Sequence, residues 1–141
     1  MTFQLDQFLP YRLSVAAAQV SRRFAAFYEV EAGLSVPEWR VLSHLNHSGA
    51  VSVRDINQRV NLDKPAVSRA ATRLQEAGLL RKSGHGSDRR LIVLELTDEG
   101  RALMVRLGEA AARFQAELLA ELGEDAEAFN RALNRLSPPT I

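Results

Sequence analysis

The segment 52–82, SVRDINQRVNLDKPAVSRAATRLQEAGLLRK, contains two apolar patterns of helical period that are separated by a short connection. Ser52 is suited to cap a short first helix, and Asp63 is suited to cap a second helix that ends at Gly78. The sequence therefore predicts two helices joined by a tight turn at 61–63. The residues expected on the buried side of these helices are Val53, Ile56, Val60, Val67, Ala70, Ala71, Leu74 and Ala77.

A two-stranded hairpin is predicted directly after this pair of helices. Residues 79–82 are expected to form a short strand, the glycine-rich stretch 84–88 a turn, and LIVLEL at 91–96 a second strand. Two helices joined by a tight turn form a helix-turn-helix, whose second helix enters the major groove of DNA. The order of elements therefore predicts a helix-turn-helix followed by a hairpin wing.

Amphipathic helices flank this segment on both sides. Ser35 and Glu38 form a capping box for the helix before it, and Thr97 is suited to cap the helix that follows the hairpin. The helices that these patterns predict cover residues 10–32, about 36–48, 98–122 and about 125–136.

We therefore expect a mainly α fold with a small β-hairpin wing, in a single domain over 1–141. A winged helix-turn-helix lobe would occupy about 35–97, and a helical dimerisation region would comprise about 5–33 and 98–137. The long apolar stripe on 98–122 favours a homodimer, because the DNA module is too small to cover it together with the other amphipathic helices. An intramolecular helical bundle is the alternative. The candidate dimer-interface residues are Leu13, Leu107, Phe114 and Leu118.

The net charge of +1 conceals an uneven distribution along the chain. Residues 52–90 hold nine basic and four acidic residues, whereas residues 91–141 hold five basic and nine acidic residues. A basic middle section is typical of a module that faces nucleic acid, although scattered solvated charge is the alternative interpretation.

The outer side of the second helix in the helix-turn-helix carries groups that can read DNA. Arg69 offers a guanidinium fork for a base edge, and Ser68 and Thr72 offer hydroxyl groups on the same face. An ordinary polar solvent face is the alternative. The candidate recognition residues are Lys64, Pro65, Ser68, Arg69, Thr72 and Arg73.

The predicted tip of the wing is also basic, with Asp88, Arg89 and Arg90 after the glycine-rich turn. An arginine there can enter the minor groove, whose negative potential attracts it. Asp88 and Arg90 project on the same side of a strand, so the carboxylate can orient the guanidinium. A surface ion pair without a DNA role is the alternative.

The chain resembles the MarR family of bacterial regulators from about Leu9 to Glu121. The resemblance is densest in PEWRVLSHL at 37–45, in the segment 52–82, and in DRRLIVLELTDEG at 88–100. It implies a winged-helix lobe with the recognition helix and wing arginine named above, and a homodimer built from the first helix and the last two. It further implies repression of palindromic operators on double-stranded DNA, relieved by a small and often anionic aromatic ligand.

An effector pocket between the DNA lobe and the dimerisation helices is a further expectation. Aromatic side chains beside a cation suit an aromatic acid. The alternative is that Trp39 belongs to the core and Arg40 to the surface. The candidate lining residues are Tyr11, Tyr28, Trp39, Arg40 and His44.

Several other classes of function lack support in the sequence. The chain has no cysteine, no catalytic motif and no cofactor motif, and His44 and His47 lack the further ligands that a metal site requires. No apolar run is long enough for a membrane span and no signal peptide is present, so a cytoplasmic protein that is not an enzyme is expected. Two alternatives remain. One is a regulator without a small ligand, and the other is a helical module whose winged helix binds protein.

Overall fold

One long helix dominates the first of the two compact units into which the chain divides, Met1–Ser35 and Val36–Ile141. The structure is a computed structural model that describes residues 2–84 and 92–139. In the first unit, a 3-10 turn at Leu5–Gln7 precedes α1, Leu9–Ala32. Gly33 ends α1 at a φ of 64°, a left-handed conformation that a residue without Cβ adopts readily. The helix predicted over 10–32 is confirmed.

The second unit contains the remaining helices and all the strands that the structure describes. The helices are α2 (Val36–Ser48), α3 (Val53–Arg59), α4 (Lys64–Glu76), α5 (Asp98–Leu122) and α6 (Ala126–Leu136), with a 3-10 turn at Gly123–Asp125 before α6; the strands are β1 (Val51–Ser52), β2 (Leu80–Ser83) and β3 (Val93–Leu96). The mainly α fold and the predicted order of helices are confirmed.

The three strands form an antiparallel sheet in the order β1-β3-β2. The hairpin pairs Leu80 with Leu96 and Ser83 with Val93, as a wing requires. The predicted hairpin is confirmed, and Val51 pairs with Leu94, which adds the unpredicted strand β1 on the other side of β3. Two residues are too few to show the alternating pattern by which a strand is recognised in a sequence.

The strand β2 begins one residue later than predicted because Leu79 is bonded to the turn that ends α4. Its N–H donates to the carbonyl of Leu74 at 2.9 Å, and Gly78 before it has a φ of 77°. Such a bond closes the last turn of a helix through a left-handed glycine. Ala77, expected on the buried side of α4, is exposed because it is the C-cap residue of this helix.

The core of the second unit lies where α2, α4 and the sheet meet. Its most buried side chains include Leu42, Leu45, Ile56, Leu74, Leu80 and Leu94. The helix α4 packs mainly against α2, rather than against α3 alone. Each of these apolar side chains stabilises the fold by about 1.5–3 kcal/mol relative to an exposed position.

The start of α5 is fixed against the turn that follows α4. The Thr97 hydroxyl donates to the carbonyl of Gly78 at 2.6 Å and accepts the N–H of Gly100 at 3.1 Å. A Cβ on Gly100 would lie 2.0 Å from the carbonyl oxygen of Leu79, so only glycine allows this approach. The predicted cap at Thr97 is confirmed.

Candidate nucleic-acid interface

The turn between α3 and α4 sets the start of the candidate recognition helix. Asn61 has a φ of 53°, a left-handed conformation that asparagine tolerates better than most residues. Asp63 then accepts the N–H of Ala66 at 2.7 Å and caps α4. The side chain of Ser52 caps α3 by accepting the N–H of Asp55 at 3.1 Å. Both predicted caps are confirmed, and they hold the two helices in a helix-turn-helix.

The two sides of α4 differ sharply in exposure. Its inner side is buried and consists of Val67, Ala70, Ala71 and Leu74. The residues predicted to read DNA all lie exposed on the other sides of the helix, and they are Lys64, Pro65, Ser68, Arg69, Thr72 and Arg73. Among the described residues, Arg69 has no ion-pair partner, so its guanidinium is available to a ligand.

Arg73 differs from the other members of this group because it is held by the protein. Its Nε donates to Oε1 of Glu38 on α2 at 2.6 Å. Glu38 is buried, whereas the side chain of Arg73 is about half exposed. The ion pair therefore joins the recognition helix to α2, a contact between residues far apart in sequence that no local pattern reveals.

The first strand of the wing adds a cation next to the recognition helix. Lys82 Nζ donates to the hydroxyl of Thr72 at 3.5 Å, so the two side chains lie side by side. Arg81, its neighbour, is instead paired with Glu95 across the sheet at 2.8 Å. The sequence analysis did not single out Lys82, although the alternation of side chains along a strand separates it from Arg81. The predicted wing-tip residues Asp88, Arg89 and Arg90 lie outside the described residues.

A second feature of this unit is an open cavity of about 320 Å³ on α2 and at the end of α3. We call it the α2–α3 cavity, and it is lined by Arg40, Ser43, His44, His47, Arg59 and Val60. Two of the five residues predicted to line an effector pocket, Arg40 and His44, lie here. Trp39 is half-buried and is not among the lining residues.

The other two predicted pocket residues belong to α1. Tyr11 is exposed, whereas Tyr28 is almost wholly buried with its ring edge-on to Phe24 at 5.6 Å. A side chain buried in this way has little surface to offer a ligand. The assignment of Tyr28 to a pocket therefore lacks support, because the packing of its ring against Phe24 already explains why an aromatic residue stands at this position.

The positive charge of the cavity acts on His44. Burial is the largest cause that lowers the pKa of this imidazole, and the positive charges of Arg59 and His47 lower it further. Ser48 Oγ lies 3.4 Å from His44 Nε2, within hydrogen-bond distance. His44 is therefore held in its neutral form more strongly than an exposed histidine.

Comparison with known proteins decides the family. The sequence model of the MarR family matches residues 32–91. The HTH-type transcriptional regulator YwoH of Bacillus subtilis is 32% identical over 99 residues, which are 70% of this chain and 72% of YwoH. The chain belongs to the MarR family of transcriptional regulators. A crystal structure of a MarR/EmrR family regulator from Acinetobacter sp. ADP1 is 26% identical, has a TM-score of 0.80, and covers 94% of each chain.

Other proteins similar to this chain are more distant in sequence. The Bacillus subtilis regulator YdgJ is 27% identical over 106 residues, and the match spans 75% of this chain but only 65% of YdgJ. NadR, whose crystal structure is a complex with 4-hydroxyphenylacetate, is 22% identical with a TM-score of 0.76 over 89% of this chain and 91% of NadR. The homoprotocatechuate degradative operon repressor of Escherichia coli is 28% identical over 92 residues, which are 62% of each protein.

The candidate dimer residues of this MarR-family chain lie in different environments. Leu13 on α1 is 40% exposed. Phe114 and Leu118 on α5 are half-buried. Leu107, also assigned to the interface from the sequence, is only 2% exposed in a single chain, so almost no surface remains for a partner to cover. Leu107 was assigned to the interface because it lies on the apolar stripe of α5, but periodicity cannot separate a core position from an interface position.

Features expected of other protein classes are also missing from the described part of this MarR-family chain. Residues 2–84 and 92–139 contain no group of three or more metal-ligating side chains. None of their helices is both long enough and apolar enough to cross a bilayer. YdgJ and YwoH, named above, are HTH-type transcriptional regulators.

Proposed function

We propose that this chain is a homodimeric repressor that binds an inverted-repeat operator on double-stranded DNA and is released by a small aromatic acid. The observation that carries the proposal is the exposed face of α4, where Arg69 is unpaired among the described residues and lies one position after Ser68. A capped helix with its inner side buried can present this face to the major groove without rearrangement.

Each exposed group on this face has a distinct role toward DNA. Arg69 is the base reader, since its fork can donate two hydrogen bonds to the edge of one guanine. Ser68 and Thr72 make shorter-range contacts to bases or to phosphates. Lys64 at the helix start and Lys82 on the wing bind phosphates, which supply affinity without sequence information.

Exposed apolar side chains support the homodimer. On α1, Leu9 and Leu13 are exposed, and on α6 Phe129, Leu133 and Leu136 are exposed. Large apolar side chains grouped on helices are expected to be covered by a partner. A two-fold dimer would present its two recognition helices to half-sites about 10–10.5 base pairs apart.

The small-molecule effector is proposed from the relatives together with the cationic cavity. NadR binds 4-hydroxyphenylacetate, and the Escherichia coli relative represses an operon for degradation of homoprotocatechuate. Arg40 and Arg59, which both line the cavity, give this chain the positive charge that an aromatic acid requires. A release mechanism follows if the acid binds more tightly to a conformation that cannot hold DNA.

Selection of bound duplexes from a random pool tests the operator, and titration of the selected duplex at several salt concentrations tests its recognition. We expect an inverted repeat, with Arg69→Ala relaxing preference at one base pair by about 1–3 kcal/mol, a discrimination of about 5- to 150-fold. Arg106→Ala on α5 is the matched control, because it removes the same charge from a helix outside the helix-turn-helix. A chain that enriches no duplex, or whose selected sites lack two-fold symmetry, contradicts the proposal and favours a module that binds protein.

A further inference from the structure

The end of α4 and the start of α5 meet at a contact that we call the α4–α5 joint, formed by Gly78, Leu79, Thr97 and Gly100. Thr97 bonds to both residues on the α4 side. Its hydroxyl donates to the carbonyl of Gly78 at 2.6 Å, and its N–H donates to the carbonyl of Leu79 at 3.1 Å. The same hydroxyl accepts the N–H of Gly100 at 3.1 Å. One side chain therefore caps α5 and also holds the end of the recognition helix.

The α4–α5 joint is a contact of backbone against backbone. Gly100 is buried, and a Cβ at this position would lie 2.0 Å from the carbonyl oxygen of Leu79 and 3.0 Å from its carbonyl carbon. No side chain of Gly100 stands between the two elements that could change rotamer and absorb a movement. The sheet continues the contact into the wing, where Leu80 pairs with Leu96. A tilt of α4 against α5 therefore strains both the bonds of Thr97 and this backbone contact.

The position of Arg69 depends on the angle at the α4–α5 joint. At a rise of about 1.5 Å per residue, Arg69 lies about 13 Å along α4 from Gly78, so a rotation of about 10° at the joint displaces its Cα by about 2 Å. In a two-fold dimer both copies move, and their separation changes by up to about 4 Å, which exceeds the rise of about 3.4 Å per base pair. A small change at the joint is therefore enough to move a recognition helix out of register with its half-site.

We propose that Thr97 is a positioning residue for DNA binding, because it holds the end of α4 to the start of α5 and so fixes the half-site spacing that the dimer accepts. The helix α5 also carries Phe114 and Leu118, two of the candidate dimer residues. The α4–α5 joint thus connects the dimerisation region to the recognition helix. The effect on half-site spacing rests on the proposed function, whereas the effect of Thr97 on the angle between α4 and α5 does not.

Three substitutions of Thr97 separate the α4–α5 joint from the helix cap. Thr97→Ser keeps the hydroxyl, Thr97→Asp keeps an acceptor for the N–H of Gly100 but has no proton to donate to Gly78, and Thr97→Val keeps neither. If the joint matters, Thr97→Asp and Thr97→Val are both affected, whereas loss of the cap alone affects only Thr97→Val. Ser43→Ala is the matched control, because it removes a hydroxyl that donates to a carbonyl at 2.7 Å within a single helix, α2.

Spin labels measure the angle between α4 and α5 in the absence of DNA. The chain contains no cysteine, so Ser68→Cys on α4 and Arg113→Cys on α5 introduce the two labelling sites at exposed positions. Dilution into unlabelled protein leaves the intramolecular distance, which double electron–electron resonance measures. We expect a narrow distance distribution with Thr97 in place, with Thr97→Ser and with Ser43→Ala, and a broader one with Thr97→Asp and Thr97→Val. Circular dichroism checks that each variant is folded, and an unchanged width with Thr97→Asp overturns the proposal.

Operators whose half-sites are moved one base pair closer together or further apart measure the consequence for DNA binding. We expect the unsubstituted chain and Thr97→Ser to prefer the selected spacing by about tenfold, because a shifted half-site loses base contacts. Thr97→Asp should lose most of this preference. An equal loss of affinity at every spacing is the behaviour of a merely destabilised protein and overturns the role of Thr97 in spacing. A chain that binds no duplex contradicts the proposed function, while the spin-label distances still decide the role of Thr97 in the joint.

Discussion

Arg73 on the recognition helix donates through Nε to the Oε1 atom of Glu38 on α2 at 2.6 Å. The side chain of Glu38 is 10% exposed and that of Arg73 is 51% exposed, so the pair lies at the border of the core. Removing the arginine would leave a largely buried carboxylate without this partner, which is more costly than the loss of an exposed ion pair. Arg73 is therefore a residue that positions α4, in addition to any contact that it makes with DNA.

We predict that Arg73→Ala lowers the free energy of unfolding by about 1–2 kcal/mol, after allowance for the solvent that screens the exposed arginine. Arg69→Ala, on the same helix and exposed, should change it by less than about 0.5 kcal/mol. Urea denaturation of the two variants makes the comparison.

A third variant, Glu38→Gln, keeps an acceptor for the Arg73 Nε–H and should lose less stability than Arg73→Ala. Equal stabilities for Arg73→Ala and Arg69→Ala would contradict the positioning role.

The sequence was sufficient to predict features that depend on neighbouring residues. Asp63 and Thr97 were recognised as helix caps because a cap needs only a side-chain acceptor and an N–H three residues later. The ion pair between Arg73 and Glu38 could not be predicted, since it depends on how α2 and α4 pack. The same limit applies to Arg59, which joins Arg40 only when the end of α3 is placed beside α2.

The burial of Leu107 makes this residue unsuitable for a test of the dimer. Leu107→Asp would place a charge at a position that is 2% exposed, so it should unfold the chain whether or not a dimer forms. Even Leu107→Ala should cost about 2–5 kcal/mol of stability. This residue therefore tests the core rather than the dimer interface.

We predict that Leu13→Asp on α1, and independently Leu133→Asp on α6, converts the dimer to monomer while the fold is retained. Both side chains are more than a third exposed in a single chain, so a carboxylate there is solvated in the monomer and buried only in a dimer. Sedimentation velocity gives the mass, and circular dichroism gives the helix content. Leu13→Met is the matched control and should stay dimeric. A folded dimer in both aspartate variants would overturn the assignment of these helices to the interface.

The lowered pKa of His44 predicts how stability depends on pH. In the unfolded chain a histidine titrates at about pH 6.5. In the folded chain burial, followed by the charges of Arg59 and His47, moves the pKa below that value. The unfolded state therefore binds more protons than the folded state as the pH falls below about 6.5, so the free energy of unfolding falls and then levels off below the folded pKa.

We predict that His44→Asn removes much of this decrease in stability between about pH 7 and pH 5. Chemical denaturation at several pH values measures the slope, and the stability of each protein at pH 8 serves as its own reference for any change in packing. A small aromatic acid bound in the α2–α3 cavity should oppose the decrease, because an anion beside His44 favours the charged imidazole. An unchanged pH slope in His44→Asn would show that the titration of His44 does not control stability in this range.

The wing tip provides the last prediction, since Asp88, Arg89 and Arg90 lie outside the described residues and their role stays a prediction from the sequence. Arg90→Ala should weaken operator binding and reduce its salt dependence, because fewer counterions are released from the DNA. The minor groove distinguishes bases poorly, so base preference should change mainly in narrow A·T-rich flanks, in contrast to the effect of Arg69→Ala.

Asp88→Ala decides between two accounts of the carboxylate. If Asp88 orients Arg90, the substitution Asp88→Ala weakens DNA binding, although a negative charge near the DNA has been removed. If Asp88 is only a surface carboxylate, simple electrostatics requires that Asp88→Ala bind DNA more tightly. Affinity for one operator at three salt concentrations separates the two, and tighter binding by Asp88→Ala, or unchanged binding by Arg90→Ala, would leave recognition to α4 and Lys82.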